Sequence, residues 1–144
     1  MSVACAGSQY TGGAHGMYGT GGHTFLIEGR KVRELKLEDL FGAGAADATW
    51  KKPLGARIAK QINVKKKAEG FTELGGEEVE AQLGTFVLGD ATIDFYFSPY
   101  SLGSYAEGEY VATFEYAALD DLFAKDGPVS KIPRKARPTP PVPK

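Results

Sequence analysis

The chain of 144 residues has one cysteine, one tryptophan and two histidines, and no apolar run in it approaches the roughly 18 residues that span a bilayer. Each scarcity excludes something. Cys5 alone makes no internal disulfide and no C-x-x-C metal pair, so cysteine usage does not reveal the redox compartment. Without a long apolar run, or an apolar segment behind a basic flank at the start, the sequence reads as soluble and shows no export signal. Neither H-E-x-x-H nor G-x-x-x-x-G-K-[ST], a calcium loop or a G-x-S-x-G elbow occurs, so no metal, cofactor or catalytic residue is expected. Proline is nearly missing from the first 125 residues, where only Pro53 and Pro99 occur.

What is present describes one globular domain. With 42% hydrophobic, 11% aromatic and 24% charged residues, the composition suits a single core. The net charge of −1 is unevenly spread: residues 126–144 carry five basic side chains against one acidic, which leaves −5 on residues 1–125. A body of that sign is not expected to bind nucleic acid. Six of the eight prolines fall in residues 126–144 with few large apolar side chains. That composition predicts a folded unit over 1–125 and a disordered, basic, proline-rich tail over 126–144.

Periodicity within 1–125 predicts α+β, a mainly antiparallel sheet of five or six strands with two or three helices packed on it. Residues 2–9 read as a strand in which Cys5 behaves as a small hydrophobe. Alternatively, Ser2-Val3-Ala4-Cys5 looks like the end of a lipoprotein cleavage site lacking its apolar segment. A glycine-rich bend follows, Tyr10-Thr11-Gly12-Gly13-Ala14-His15-Gly16, and Gly19, Gly21 and Gly22 read as further bends. His23–Glu28 and Val32–Leu35 make a hairpin about Gly29-Arg30, and Leu37–Phe41 a short helix stopping at Gly42. Trp50–Lys67 reads as the long helix, with Leu54, Ile58 and Ile62 inward and Lys51, Lys52, Arg57, Lys60, Lys65, Lys66 and Lys67 on a solvated face. Ile93, Phe95 and Phe97 alternate with polar neighbours in a hairpin with Thr85–Leu88, and Glu109–Glu115 adds a strand. Ala118, Leu119, Leu122 and Phe123 have the spacing of a closing helix.

Three segments stand in a recognisable order: Tyr10–Gly16, then Leu35-Lys36-Leu37-Glu38-Asp39-Leu40-Phe41, then Phe95–Gly108 with its Ser98-Pro99-Tyr100 and Tyr105-Ala106-Glu107-Gly108. Together they resemble the domain family found in the anti-sigma factor RsiV and the peptidoglycan deacetylase PdaC. The resemblance covers about residues 3–125 and implies a non-catalytic α+β domain outside the cytoplasmic membrane, in the periplasm, at the cell surface or secreted. A protein partner such as lysozyme, or peptidoglycan glycan, is the implied ligand. Many members carry a further region before the Gly-Gly-Ala-His segment, so a truncated start is also expected.

The candidate binding residues are Tyr10, Gly12, Gly13, His15, Pro99, Tyr100, Leu102 and Tyr105. His15 reads as an imidazole bonded to backbone in a bend poor in side chains; its rival role is base or metal ligand in a cell-wall hydrolase or deacetylase. Two readings of the 98–108 loop stand side by side. In one, the tyrosines are interface anchors that also suit sugar rings; in the other, they pack inward with hydroxyls on backbone. A purely structural accessory domain is the remaining alternative. Asp94, Glu107, Glu109 and Glu115 lie near strands, with no pair singled out for glycoside chemistry.

Overall fold

A computed structural model describes residues 1–42 and 47–132. The strands are β1 (Ser2–Gln9), β2 (Met17–Glu28), β3 (Lys31–Glu34), β4 (Thr85–Leu88), β5 (Thr92–Phe97) and β6 (Tyr110–Glu115). The helices are α1 (Leu37–Phe41), α2 (Lys51–Glu69) and α3 (Gly76–Glu80). All pairings are antiparallel, as expected for α+β. The strands do not form one sheet, however: they divide into β1-β2-β3 and β4-β5-β6.

The second sheet and α2 make the core. Ile93, Phe95 and Phe97 are buried at every second position of β5, and Tyr110 and Ala112 of β6 share their burial. Against them pack Leu54, Ile58 and Ile62 of α2 and Leu40 of α1 within one hydrophobic cluster. Phe41 stacks on Trp50 at 5.3 Å between centroids and on Phe123 at 4.8 Å, closing one end of that cluster. Helix α2 ends where Gly70 takes a left-handed conformation, φ 79°, and the Phe71 N–H reaches back to the Lys66 carbonyl at 2.8 Å.

Two residues that look unhelpful to α2 have jobs in it. A side chain at Gly55 would place its Cβ 2.7 Å from the Gly76 carbonyl oxygen, so glycine permits α3 to cross α2 closely. The Asn63 amide both donates to the Leu74 carbonyl (2.9 Å) and accepts the Leu74 N–H (2.8 Å), tying the α2–α3 connection to the helix.

The first sheet joins the second through small and polar groups. Gly22 lies so close to β4 that an added Cβ would stand 2.9 Å from the Phe86 carbonyl oxygen. Beside it, the Leu88 N–H donates to Ser2 Oγ (3.1 Å), Ser2 Oγ meets Thr24 Oγ1 (3.0 Å), and Thr24 Oγ1 donates to the Phe86 carbonyl (3.5 Å). Gly19, Gly21 and Gly22 are residues of β2 and not bends; Gly19 lies against Ser98 of the loop and Gly22 against the β4 backbone at short range.

Two expectations at the end of the fold need correction. The closing helix is a 3₁₀ turn, Tyr116–Leu119, followed by further turns: Leu119 is buried and Ala118 exposed, so the apolar spacing serves one turn and not a full helix. The chain also stays in the fold past Lys125, because Pro128–Lys131 forms another 3₁₀ turn that buries Val129 in the core, with Ile132 packed against it. The remainder of the expected tail, 133–144, lies outside the described residues. Among the described residues no helix is long and apolar enough to cross a membrane.

Candidate functional site

Two glycine-rich or tyrosine-rich connections, 10–16 and 98–108, meet beside the start of β2. Tyr10 donates its hydroxyl to the Gly13 carbonyl at 3.0 Å, across a bend that Gly12 (φ 92°) and Gly13 (φ 115°) make possible. His15 follows, exposed, with Nδ1 3.1 Å from the Gly16 carbonyl oxygen and Nε2 3.2 Å from the Tyr100 hydroxyl. A carbonyl only accepts, so in the neutral imidazole the hydrogen sits on Nδ1 and Nε2 accepts from Tyr100. The imidazole also stacks on the Tyr105 ring, 3.8 Å between centroids and 18° from parallel. Tyr105 in turn donates its hydroxyl to the same Gly16 carbonyl at 2.7 Å.

The result is a partly exposed aromatic face. Tyr100 is 54% exposed and the only non-glycine residue at positive φ among those described, at 72°. Holding a tyrosine there costs on the order of 1–2 kcal/mol, which the surrounding structure must supply. Tyr18, not singled out from the sequence, stands edge-on to Tyr105 at 5.8 Å and is 42% exposed. Its position on a strand between glycines was the available signal. Of the sequence-predicted residues, His15, Tyr100 and Tyr105 come together, and Tyr10, Gly12 and Gly13 shape the bend that carries His15. Pro99 and Leu102 do not belong to the surface: both are buried, Leu102 as a member of the core, because they fasten the loop from beneath.

What holds that loop is a group the sequence reading placed wrongly. Lys66 is 2% exposed, not on the solvated face of α2, and its ammonium is ion-paired with the Glu107 carboxylate. Glu107 accepts two further hydrogen bonds, from the Tyr110 hydroxyl at 2.8 Å and from the Ser104 N–H at 2.7 Å. Lys66 Nζ also lies 5.1 Å from the Tyr110 ring centroid, a cation–π contact. The Lys66 ammonium, aided by the Ser104 N–H and the Tyr110 hydroxyl, outweighs burial and holds the Glu107 carboxyl at about 2, well below the usual carboxylate range. Burial, then the hydrogen bond to Glu107 and that carboxylate's charge, pushes the Tyr110 phenol up. Two signals pointed here: the four-residue step Leu54, Ile58, Ile62, Lys66, and the capping pattern Ser104-x-x-Glu107.

Glu107 is thus committed to structure and is not poised beside a second carboxylate. Glu109 accepts a hydrogen bond from Thr20 Oγ1 at 3.0 Å, which fixes β2 to the foot of β6. Among the described residues no three His, Cys, Asp or Glu side chains converge as a metal site would require. A cleft of about 1110 Å³ lies elsewhere, between α1, residues 47–50 and residues 121–128, and none of the predicted site residues lines it.

Comparison with known proteins gives a consistent result. The family model for DUF3298, a protein of unknown function, matches residues 38–117, more than half the chain; it includes the tyrosine loop and begins after the His15 bend. No curated protein matches. A crystal structure of a DUF3298 family member from Bacteroides fragilis shares the fold, with a TM-score of 0.61 and 22% identity. The match covers 91% of this chain and 51% of that one, so the chain spans about half the length of its solved relative. By the extent of the family match, and with the fold in agreement, this chain belongs to the DUF3298 family.

Proposed function

We propose that this chain is a non-catalytic recognition domain, working outside the cytoplasmic membrane, whose aromatic face binds a basic protein of the lysozyme kind. The observation that carries the proposal is the preorganised cluster of His15, Tyr18, Tyr100 and the half-buried Tyr105, partly exposed yet fastened from below by the buried Lys66–Glu107 pair. Tyrosines offer large contact area with few rotatable bonds, and a fixed loop loses little freedom on binding. The net charge of −5 over residues 1–125 favours encounter with a basic partner. The likeness of Tyr10–Gly16, Leu35–Phe41 and Phe95–Gly108 to the RsiV and PdaC domains supports both the partner class and the location.

Calorimetric titration against a basic lysozyme at two salt concentrations tests this, with circular dichroism to establish folding. Saturable binding that weakens with salt and is lost in Tyr100→Ala is the expected result. A folded chain giving no heat with lysozyme overturns the protein-partner reading; saturable heat with soluble peptidoglycan fragments instead would reassign the same face to glycan.

A further inference from the structure

Strand β1 is the outer strand of its sheet, and among the described residues no strand pairs with its free edge. Seven of its eight residues, Val3 to Gln9, are exposed. Proteins ordinarily protect such an edge with charged side chains, proline, a bulge or shortness. Strand β1 has none of these: Ser-Val-Ala-Cys-Ala-Gly-Ser-Gln carries no charge and no proline, and its register against β2 runs unbroken from Ser2↔Thr24 to Gln9↔Met17.

The hydrogen bonding shows which groups are free. Met1 and Phe25 exchange both backbone bonds, 2.9 and 2.7 Å, and so form a hydrogen-bonded pair. In an antiparallel ladder such pairs recur at every second residue. Val3, Cys5, Gly7 and Gln9 therefore turn their N–H and C=O groups to β2, and Ser2, Ala4, Ala6 and Ser8 turn theirs to the open edge. Those four outward residues read Ser, Ala, Ala, Ser in either direction, symmetrically about Cys5.

We propose that the free edge of β1 is a homotypic interface, closed by β1 of a second copy of this chain running antiparallel across a two-fold axis at Cys5. This register pairs Ala4 with Ala6 of the other copy and Ser2 with Ser8, and uses every outward backbone group. The side chains that meet are small and uncharged, so like meets like without repulsion, as a two-fold interface demands. The two sheets join into one of six strands. Cys5 then faces its own counterpart in a non-hydrogen-bonded pair, with Cα atoms about 4.5 Å apart. That spacing lies within the disulfide range of about 4.4–6.8 Å, which makes the exposed thiol a reporter of register.

Sedimentation equilibrium of the full chain under reducing conditions should show the mass rising with concentration from 15.4 kDa to twice that value. Over the same range, amide hydrogen exchange at Ala4 and Ala6 should slow by roughly tenfold or more, while Val3, Cys5 and Gly7 stay protected throughout. Ala6→Pro removes an outward N–H that β2 does not use and should give a monomer. The pair Ala4→Lys with Ala6→Lys, which keeps every amide, should do the same by placing like charges opposite one another. Diamide, taking up the two thiol hydrogens, should link the native chain through Cys5 and leave both variants unlinked. A monomer at every concentration with Val3, Cys5 and Gly7 protected overturns the proposal. So does a dimer whose Ala4 and Ala6 amides exchange freely, or one that survives both variants.

Discussion

The two sheets are built on opposite terms. In β4-β5-β6, large side chains alternate inward and bury themselves against α2, so burial does most of the stabilising. In β1-β2-β3, small residues and glycines let backbone lie against backbone, and four polar atoms around Thr24 join the sheet to its neighbour. The aromatic face sits at the seam, with His15 and Tyr18 from the lightly buried side and Tyr100 and Tyr105 from the heavily buried one. Rigidity in the second sheet is therefore lent to a surface that the first sheet alone would leave loose.

Several substitutions would test that contrast. The largest effects belong to the buried half. Phe95→Ala should lower unfolding free energy by about 3–5 kcal/mol in urea titration, because it empties the centre of the core. Lys66→Met should be of similar size, about 3–5 kcal/mol, since it leaves the Glu107 carboxylate buried without its cation. Adding Glu107→Gln to Lys66→Met should recover much of that loss. A Lys66→Met cost no larger than that of an exposed lysine would show that the pair does not fasten the loop.

At the seam the expected effects are smaller. Gly22→Val forces a side chain against the Phe86 carbonyl and should cost about 1–3 kcal/mol, with faster amide exchange in β1 and β2 than in β5. Acid should act on the Lys66–Glu107 pair beneath the aromatic face. Glu107 has its folded value depressed to about 2 from an ordinary 4.5, so its contribution is complete above about 4.5 and is lost as pH falls towards 2. Asp121, lowered by its hydrogen bond to Arg57, titrates in the same sense. Unfolding free energy should therefore decline across that window, and less steeply in Glu107→Gln. Smallest of all, Tyr100→Gly should change stability by less than about 1 kcal/mol, since relief of the positive φ offsets the flexibility gained by glycine. Lysozyme affinity should nonetheless be lost, which would separate the binding surface from the fold.

The heavily buried half was legible in the sequence because burial writes a period: two residues in β5, and nearly four in Leu54, Ile58 and Ile62. Lys66 continued that second period and was read by its charge instead, since lysine is almost never fully buried unless paired, and its partner lies 41 residues away. The division into two sheets was illegible for the opposite reason. Gly19 and Gly22 serve the junction by having no side chain, and absence in a sequence looks the same in a bend and in a strand. In the candidate site the family-like segments located His15, Tyr100 and Tyr105. Alternation could not reveal that Pro99 and Leu102 face inward, because the loop after Phe97 has no period.

The Lys66–Glu107 pair has a consequence for the order in which the molecule assembles. Its two charges are brought together only when α2 and the chain around β6 have docked, partners 41 residues apart in the chain. The Ser104–Glu107 turn can form locally before that, but until α2 docks its carboxylate lacks its cation. The rings of Tyr100 and Tyr105 should thus acquire their arrangement with His15 only after that docking, and a chain in which α2 is undocked should not display it.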